Sequence, residues 1–319
     1  MNLFSKIIIA GFSIITFSCD NENGAIVSNK ATSAATITTA IPKKFLFDAT
    51  KAETAGNADW VLDADAVPQR FPTPAQSNVT ATTTESFWRG GLSSWGIALA
   101  KLGHTVETLP LGTAITYGGT GAQDLKNYDV FVVDEPNIRF TAAEKTAIIN
   151  FVKNGGGLFM ISDHTASDRN NDGWDSPAIW NDLMSSNSVQ TNPFGISITL
   201  NTISETTSNR LSATTNPILN GSQGTVTQLK YSAGATMSIN ISANATAQGL
   251  IWRGSSSQGT SNIMCATATF GTGRVVVIGD SSPADDGTGA SGDTLYPGWT
   301  ELASHSRLHM NASLWLAKL

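Results

Sequence analysis

Charge is scarce in this sequence. Only 14% of its 319 residues are Asp, Glu, Lys or Arg, against roughly 25% in an ordinary soluble domain. The 25 acidic and 19 basic residues leave a net charge of −6, so the chain lacks the basic excess of a nucleic-acid-binding protein. With 40% hydrophobic residues and a small net charge, it also lacks the composition of a disordered protein. We therefore expect a folded globular protein that binds no nucleic acid.

Cysteine is almost absent, and the two cysteines stand in different settings. Cys265 lies in an apolar strand pattern, where we expect a buried and unreactive thiol. Cys19 follows the apolar run Ile7–Phe17, which is too short to cross a bilayer core of about 30 Å. A short apolar run behind Lys6 is typical of an export signal. Two cysteines in such different contexts exclude a disulfide framework.

The segment around Cys19 resembles two export motifs. Thr16–Cys19 resembles a bacterial lipobox, in which the cysteine becomes the lipidated first residue of the mature chain. Asp20–Glu22 resembles the surface-export signal of Bacteroidetes lipoproteins. We expect residues 1–18 to be a signal peptide and residues 19–43 to be a flexible tether. The protein would then be an exported lipoprotein of the outer membrane or cell surface, touching the membrane through its lipid anchor only.

Apolar runs alternate with helical patterns along residues 44–319. Strands are predicted at 44–48, 104–109, 128–134, 158–161 and 275–280, and helices at 85–102, from 142 onward and at about 300–317. Thr141 and Glu144 form a capping box that begins the second of these helices. This alternation predicts an α/β fold, a flavodoxin-like, doubly wound and mostly parallel sheet. Ser/Thr-rich alternation within residues 196–270 predicts a β-rich insertion.

Acidic residues follow four of the predicted strands. In an open parallel sheet, ligands bind beyond the carboxyl ends of the strands, so these side chains would line one crevice. Clustered carboxylates repel one another unless a cation or shared protons neutralise them. The sequence thus predicts either a divalent metal site or carboxyl groups with raised pKa values. The candidate residues are Asp48, Asp134, Glu135, Ser162, Asp163, His164 and Asp280, of which Asp48 and Asp280 are the metal ligands of this group.

A second acidic segment fits the first half of an EF-hand calcium loop. Asp168–Gly173 matches D-x-[DN]-x-[DN]-G, which makes Asp168, Asn170 and Asp172 candidate Ca²⁺ ligands. The closing glutamate of such a loop is missing, because its twelfth position is Ile179. The alternative is a polar loop of Asx-turns that binds no metal.

Several short segments resemble the class I glutamine amidotransferase-like superfamily, and within it the trehalose-utilisation (ThuA-like) branch. They are Asp129–Asp134, Gly155–Ser162, Asn216–Leu219 and Gly273–Asp280. The resemblance implies this fold over about residues 44–319 and a role linked to sugars. True amidotransferases place a cysteine after the fourth strand, where this chain has Ser162, so glutamine hydrolysis is not expected.

Two functions are compatible with these features. The first is an exported, metal-assisted hydrolase that acts on a glycan or a phosphoester, with His164 moving protons. A variant of it uses Ser162 as the nucleophile and His164 or His305 as the base. The second is a non-catalytic, calcium-stabilised surface module that binds a polysaccharide or a protein. In that module Trp60, Trp174 and Trp299 would stack on sugars.

Overall fold

The computed structural model describes residues 41–65 and 67–319. The predicted signal peptide, the lipidation site at Cys19 and nearly all of the predicted tether lie outside the described residues. In the part of the chain that is described, no helix has the length and apolar character needed to cross a membrane.

The described chain alternates strands and helices, as the sequence patterns predict. The strands are β1 Lys44–Asp48, β2 Thr105–Leu109, β3 Val130–Asp134, β4 Gly157–Ile161, β5 Ile196–Ile198, β6 Ile203–Thr207, β7 Asn220–Gly221, β8 Gly224–Thr225, β9 Leu229–Gly234, β10 Met237–Ile239, β11 Gln248–Trp252, β12 Ile263–Phe270 and β13 Gly273–Ile278. The α-helices are α1 Ser93–Lys101, α2 Ala142–Lys153, α3 Ser176–Ser185, α4 Gly298–Glu301 and α5 Ala303–Leu316.

Nine of these strands form one central sheet. Its parallel part has the order β2-β1-β3-β4-β13, which is the flavodoxin-like order. β12 pairs antiparallel with β13, and β10, β5 and β11 extend the sheet beyond it. Two small antiparallel pairs, β6–β9 and β7–β8, stand apart from this sheet. The predicted α/β fold is confirmed, and the segment 196–270 is β-rich as predicted.

Successive side chains of each parallel strand point to opposite faces of the sheet, and each face packs in its own apolar core. On one face, residues such as Phe159 of β4 pack with Trp95 of α1 and Leu308 of α5. On the other face, residues such as Met160 pack with α2 and with Trp180 of α3. Strands that are buried on both sides must be apolar throughout, which explains their continuous hydrophobic runs.

Two helices differ from the sequence prediction. α1 starts at Ser93 rather than near residue 85, because the preceding glycines run alongside segment 59–63. The Gly91 amide donates to the Asp59 carbonyl at 2.8 Å, and a Cβ on Gly90 would lie 2.3 Å from the Val61 carbonyl oxygen. The sequence patterns also missed α3, whose first turn is capped by the Asp175 carboxylate. The capping box of Thr141 and Glu144 is confirmed at the start of α2.

Candidate functional site

Four acidic side chains gather at the carboxyl edge of the parallel sheet. Asp134 is the last residue of β3, Glu135 follows it, Asp163 comes two residues after β4, and Asp280 comes two residues after β13. The register aligns these strand ends, since Ile161 is opposite both Asp134 and Ile278. All four acids are at most 3% exposed. The burial of so many carboxyl groups in one place requires compensation by protons or by a positive charge.

Arg169 supplies the positive charge. Its Nε and Nη2 donate to the two carboxylate oxygens of Glu135, the second at 3.2 Å, and Nη2 also lies 3.5 Å from Asp163 Oδ2. Ser281 Oγ donates to Glu135 Oε2 at 2.8 Å. The charge of Glu135 also acts on the Asp163 carboxyl group. One guanidinium therefore faces two buried carboxyl groups, and we call them the Glu135–Asp163 pair.

The backbone at Glu135 is fixed in an unusual conformation. Its φ of 45° lies in the left-handed region, which is uncommon for a residue with a side chain. The Glu135 amide donates to the Ile161 carbonyl, and the Asn137 side chain donates to the Glu135 carbonyl at 2.8 Å. Asn137 Oδ1 also accepts the Arg169 amide at 2.8 Å. Strained residues that surrounding contacts hold in place cluster at functional sites.

Burial raises the pKa of the acids around this pair. The pKa of Asp163 is raised well above its usual value by burial and by the neighbouring charges of Glu135 and Asp280, against which Arg169 acts. Burial also raises the pKa of Asp134 well above its usual value, and Glu135 adds to the shift. Within the described residues, neither carboxyl oxygen of Asp134 has a hydrogen-bond partner. Burial therefore favours the protonated forms of Asp134 and Asp163.

His164 links this cluster to solvent. Its side chain is 29% exposed, and its Nε2 lies 3.8 Å from Asp163 Oδ2. The Nδ1 atom lies 2.6 Å from the Thr165 carbonyl oxygen, which fixes the proton on Nδ1 in the neutral ring. The free Nε2 lone pair can then accept a proton next to Asp163.

The predicted serine nucleophile does not fit this geometry. Ser162 is fully buried, and its Oγ contacts the Asp163 carbonyl oxygen at 3.4 Å. Among the described hydrogen bonds, none joins Ser162 Oγ to a histidine ring. His305 contacts the Gly298 carbonyl oxygen and accepts the Lys230 amide instead. The Ser162 variant of the hydrolase hypothesis is therefore corrected.

The carboxyl groups of Asp48 and Asp280 contact other groups of the protein. Asp48 forms a separate buried pair with Glu53, and burial raises the pKa of Asp48 to about 6. Asp280 Oδ1 accepts the Ser282 amide at 2.8 Å, and its Oδ2 accepts the Ser232 amide at 2.6 Å. Asp280 therefore ties the strand β9 to the end of β13.

The predicted calcium loop is a set of Asx-turns. Asp168 accepts the amides of Asp172 and Gly173, and Asp172 accepts the Trp174 amide at 2.9 Å. The position that should close a calcium loop, Ile179, is buried inside α3. The carboxylate oxygens are thus occupied by amides of their own loop.

Nowhere in residues 41–65 and 67–319 do three or more His, Cys, Asp or Glu side chains form a group that could hold a metal ion. The five metal ligands predicted from the sequence lie in separate places, and a metal ion at any of them stays a prediction: Asp48 and Asp280 lie in different contacts, and Asp168, Asn170 and Asp172 share one loop.

The tryptophans proposed for sugar stacking are covered. Trp60 and Trp299 are 2% and 7% exposed and pack in the interior, so the prediction is wrong for both. Trp174 is half-buried, and the guanidinium of Arg139 lies over its ring at 3.8 Å. Trp60 and Trp299 therefore offer no free face to a ligand, and Arg139 covers one face of Trp174.

The sequence reasoning missed Arg169, although one signal pointed to it. Arg169 is the single Lys or Arg between Lys153 and Arg210. A buried group of acids needs a counter-charge nearby. A lone cation in the loop after the fourth strand was therefore a candidate for that role.

Comparisons with known proteins show the fold but not a family. No family model matches the sequence, and no curated protein matches it. Among solved structures, the mmIFT52 N-terminal domain is similar at 15% identity with a TM-score of 0.53, over 86% of this chain and 97% of that one. ThuA-like proteins are also among the structural neighbours. One from Bacteroides uniformis has 12% identity and a TM-score of 0.42, over 92% and 95% of the two chains. One from Parabacteroides merdae has 12% identity and a TM-score of 0.38, over 87% and 90%.

Proposed function

We propose that this protein is a hydrolase that cleaves a neutral glycan by general acid–base catalysis at the Glu135–Asp163 pair. The observation that carries the proposal is the pair itself, two buried carboxyl groups beneath one guanidinium at the carboxyl edge of the sheet. Hydrolysis of a glycosidic bond needs a group that donates a proton to the leaving oxygen, and a buried carboxyl group with a raised pKa can supply it. Ligands of open parallel sheets bind at this edge.

The two carboxyl groups have different surroundings and would take different roles. Glu135 receives two hydrogen bonds from Arg169, which is the arrangement of a carboxylate. Asp163, whose pKa is raised, would donate its proton to the glycosidic oxygen as that bond breaks. Glu135 is fully buried and would act on Asp163 through its charge. His164, whose Nε2 is free to accept, would take a proton from the attacking water, whose oxygen bonds to the anomeric carbon. That proton would return from His164 to Asp163.

The charge of the cluster favours a neutral glycan over a phosphoester. Asp134 and Asp280 stand beside the Glu135–Asp163 pair, and a phosphate group would add negative charge to this acidic surface. In the described part of the chain, Arg169 is the one Lys or Arg that ion-pairs with these acids, and Glu135 already occupies it. A hydroxyl-rich, uncharged substrate meets no such repulsion.

The proposal gives a metal ion no role. Of the carboxylates predicted to bind it, Asp280 and Asp168 accept hydrogen bonds from backbone amides, and Asp48 pairs with Glu53. Export and lipid anchoring at Cys19 are part of the proposal on the strength of the lipobox resemblance.

The test is a turnover screen of the purified protein on neutral oligosaccharides, aryl glycosides and aryl phosphates at several pH values, with and without a chelator. We expect glycoside turnover that the chelator leaves unchanged. Asp163→Asn and Glu135→Gln should each lower it by about 100-fold or more. Glu85→Gln, which alters an exposed acid outside both candidate sites, is the matched control.

Unchanged turnover in Asp163→Asn would place the chemistry elsewhere. Turnover of phosphoesters that the chelator abolishes would restore the metal hypothesis. Binding of a polysaccharide without turnover of any substrate would support the non-catalytic surface module.

A further inference from the structure

A cavity of about 490 Å³ lies at the same edge of the sheet, between the loops that follow β1, β2 and β3. Its volume is in the range of small-molecule sites. Leu111 and Ile138 stand at its rim, each more than a third exposed. Its wall consists mainly of small side chains, and we call it the alanine pocket: Ala49, Ala52, Ala55, Ala58, Ala64 and Ala290.

Two carboxyl groups close one end of the alanine pocket. Asp59 is 3% exposed, and its Oδ2 accepts the Ala290 amide at 3.1 Å. Its Oδ1 is buried and receives no hydrogen bond from a described donor. Asp293 also lines the pocket, and a Cβ on Gly289 would lie 2.5 Å from Asp59 Oδ2 and 3.4 Å from Asp293 Oδ2, so the two carboxyl groups are neighbours. Among the described ion pairs, none involves either acid.

We propose that the alanine pocket binds a small amphipathic amine, with its primary ammonium group between Asp59 and Asp293 and its aliphatic body against the alanine wall. A primary ammonium has three donors and one positive charge, which is what two adjacent carboxylates lack. An aliphatic body gains free energy when it leaves water for an apolar wall. An anion would be repelled by the carboxyl groups, and a sugar would leave its hydroxyls unpaired against the alanines.

This proposal does not rest on the proposed hydrolysis. Arg169, which binds the Glu135–Asp163 pair, does not line the pocket. Neither Glu135 nor Asp163 lines the pocket. The two sites can therefore be tested one at a time.

Ammonium binding should displace a proton from the acid pair. Burial, together with Asp293, raises the pKa of Asp59 to about 8, and Asp285 adds to the shift. The groups that face Asp59 are these two acids and the Ala290 amide. At neutral pH Asp59 therefore holds a proton that must leave when the ammonium enters. Affinity should therefore rise with pH between about 6 and about 8.5.

Isothermal titration calorimetry with n-hexylamine tests the proposal, with n-hexanol as its uncharged counterpart. We expect the amine to bind at least roughly tenfold more tightly than the alcohol, with proton release shown by buffers of different ionisation enthalpy. Asp59→Asn should weaken amine binding by roughly tenfold or more. Asp65→Asn, an exposed acid in the same loop, should leave it within about twofold.

A second variant keeps the test independent of the stability of Asp59→Asn. Ala55→Phe fills the alanine pocket and leaves both carboxyl groups in place, so it should also abolish binding. Circular dichroism shows whether each variant folds, and Asp293→Asn replaces Asp59→Asn if the latter does not. Equal affinity for amine and alcohol would overturn the proposal. So would amine binding that survives in Ala55→Phe or in the folded acid variant.

Discussion

Arg169 reaches from the loop after β4 to the turn after β3. It contacts Glu135 twice and Asp163 once, and it also donates to Asn57. Its guanidinium lies 5.7 Å from the centre of the Trp60 ring. The arginine side chain is 19% exposed, so its ion pairs are shielded from most of the solvent. Two buried acids depend on this one side chain for compensation.

Removal of this guanidinium should be costly. We expect Arg169→Met to lower the free energy of unfolding at pH 7 by about 3 kcal/mol, because it leaves Glu135 buried without its cation. Arg139→Met is the control, since that side chain is 48% exposed and should cost about 1 kcal/mol or less. Urea unfolding of both variants measures the difference. Equal losses would show that the Glu135 contact contributes little to stability.

Close contact between backbone segments holds β13 in the sheet. A Cβ on Gly273, the first residue of β13, would lie 1.9 Å from the Val152 carbonyl oxygen and 2.5 Å from that of Gly156. These atoms belong to the end of α2 and the turn before β4, so none of them can move freely. Only glycine, which has no Cβ, fits at position 273.

The corresponding prediction concerns the junction of α2 and β13. Gly273→Ala should destabilise the protein by about 2 kcal/mol or more, since the added methyl group forces backbone apart. Gly121→Ala is the matched control, because its nearest neighbour would be the Asp124 amide nitrogen at 4.0 Å. Thermal unfolding of the two variants compares them. A melting temperature of Gly273→Ala equal to that of Gly121→Ala would contradict the tight junction.

Elements with local signals could be predicted from the sequence. The apolar runs of β1, β3, β4 and β13 marked the strands, and the capping box of Thr141 marked the start of α2. The start of α1 could not be predicted, because it depends on contacts of the preceding glycines with residues distant in sequence. α3 was missed because its cap, Asp175, lies within the twelve positions of the predicted calcium loop, which run from Asp168 to Ile179.

The candidate site, too, could be predicted from the sequence only in part. The common edge of the strands follows from the fold, so Asp134, Glu135, Asp163 and Asp280 could be placed together. Whether protons, a metal or an arginine compensates them depends on the course of the loop that carries Arg169. No local pattern encodes that course, so the sequence alone could not place Arg169 beside the acids.

At the scale of the whole molecule, buried acids should control the dependence of stability on pH. Burial raises the pKa of Asp48 to about 6, that of Asp285 to about 7 and that of Asp59 to about 8. An acid with a raised pKa binds more protons when the chain is folded. Its contribution to stability is complete below about pH 4 and is lost as the pH rises through the folded pKa.

Two buried histidines act in the opposite direction. Burial lowers the pKa of His309 to about 3 and also lowers that of His305, so both lose stabilising energy as the pH falls below about 6.5. The three acids outnumber the two histidines, so the acids determine the net dependence of stability on pH. We expect the melting temperature to be highest near pH 5 to 6 and to fall by about 5 °C or more by pH 8. A melting temperature that rises between pH 6 and 8 would contradict this balance of charges.

The central claim is that protons, rather than a metal ion, neutralise the acids at the carboxyl edge of the sheet. Carbon-13 NMR of the Asp side-chain carboxyl groups at pH 7 tests it most directly, with Asp163→Asn to assign the resonance. We expect a protonated carboxyl resonance that disappears in Asp163→Asn and does not change when a chelator is added. A fully ionised Asp163 at pH 7, or a resonance that the chelator shifts, would contradict the claim.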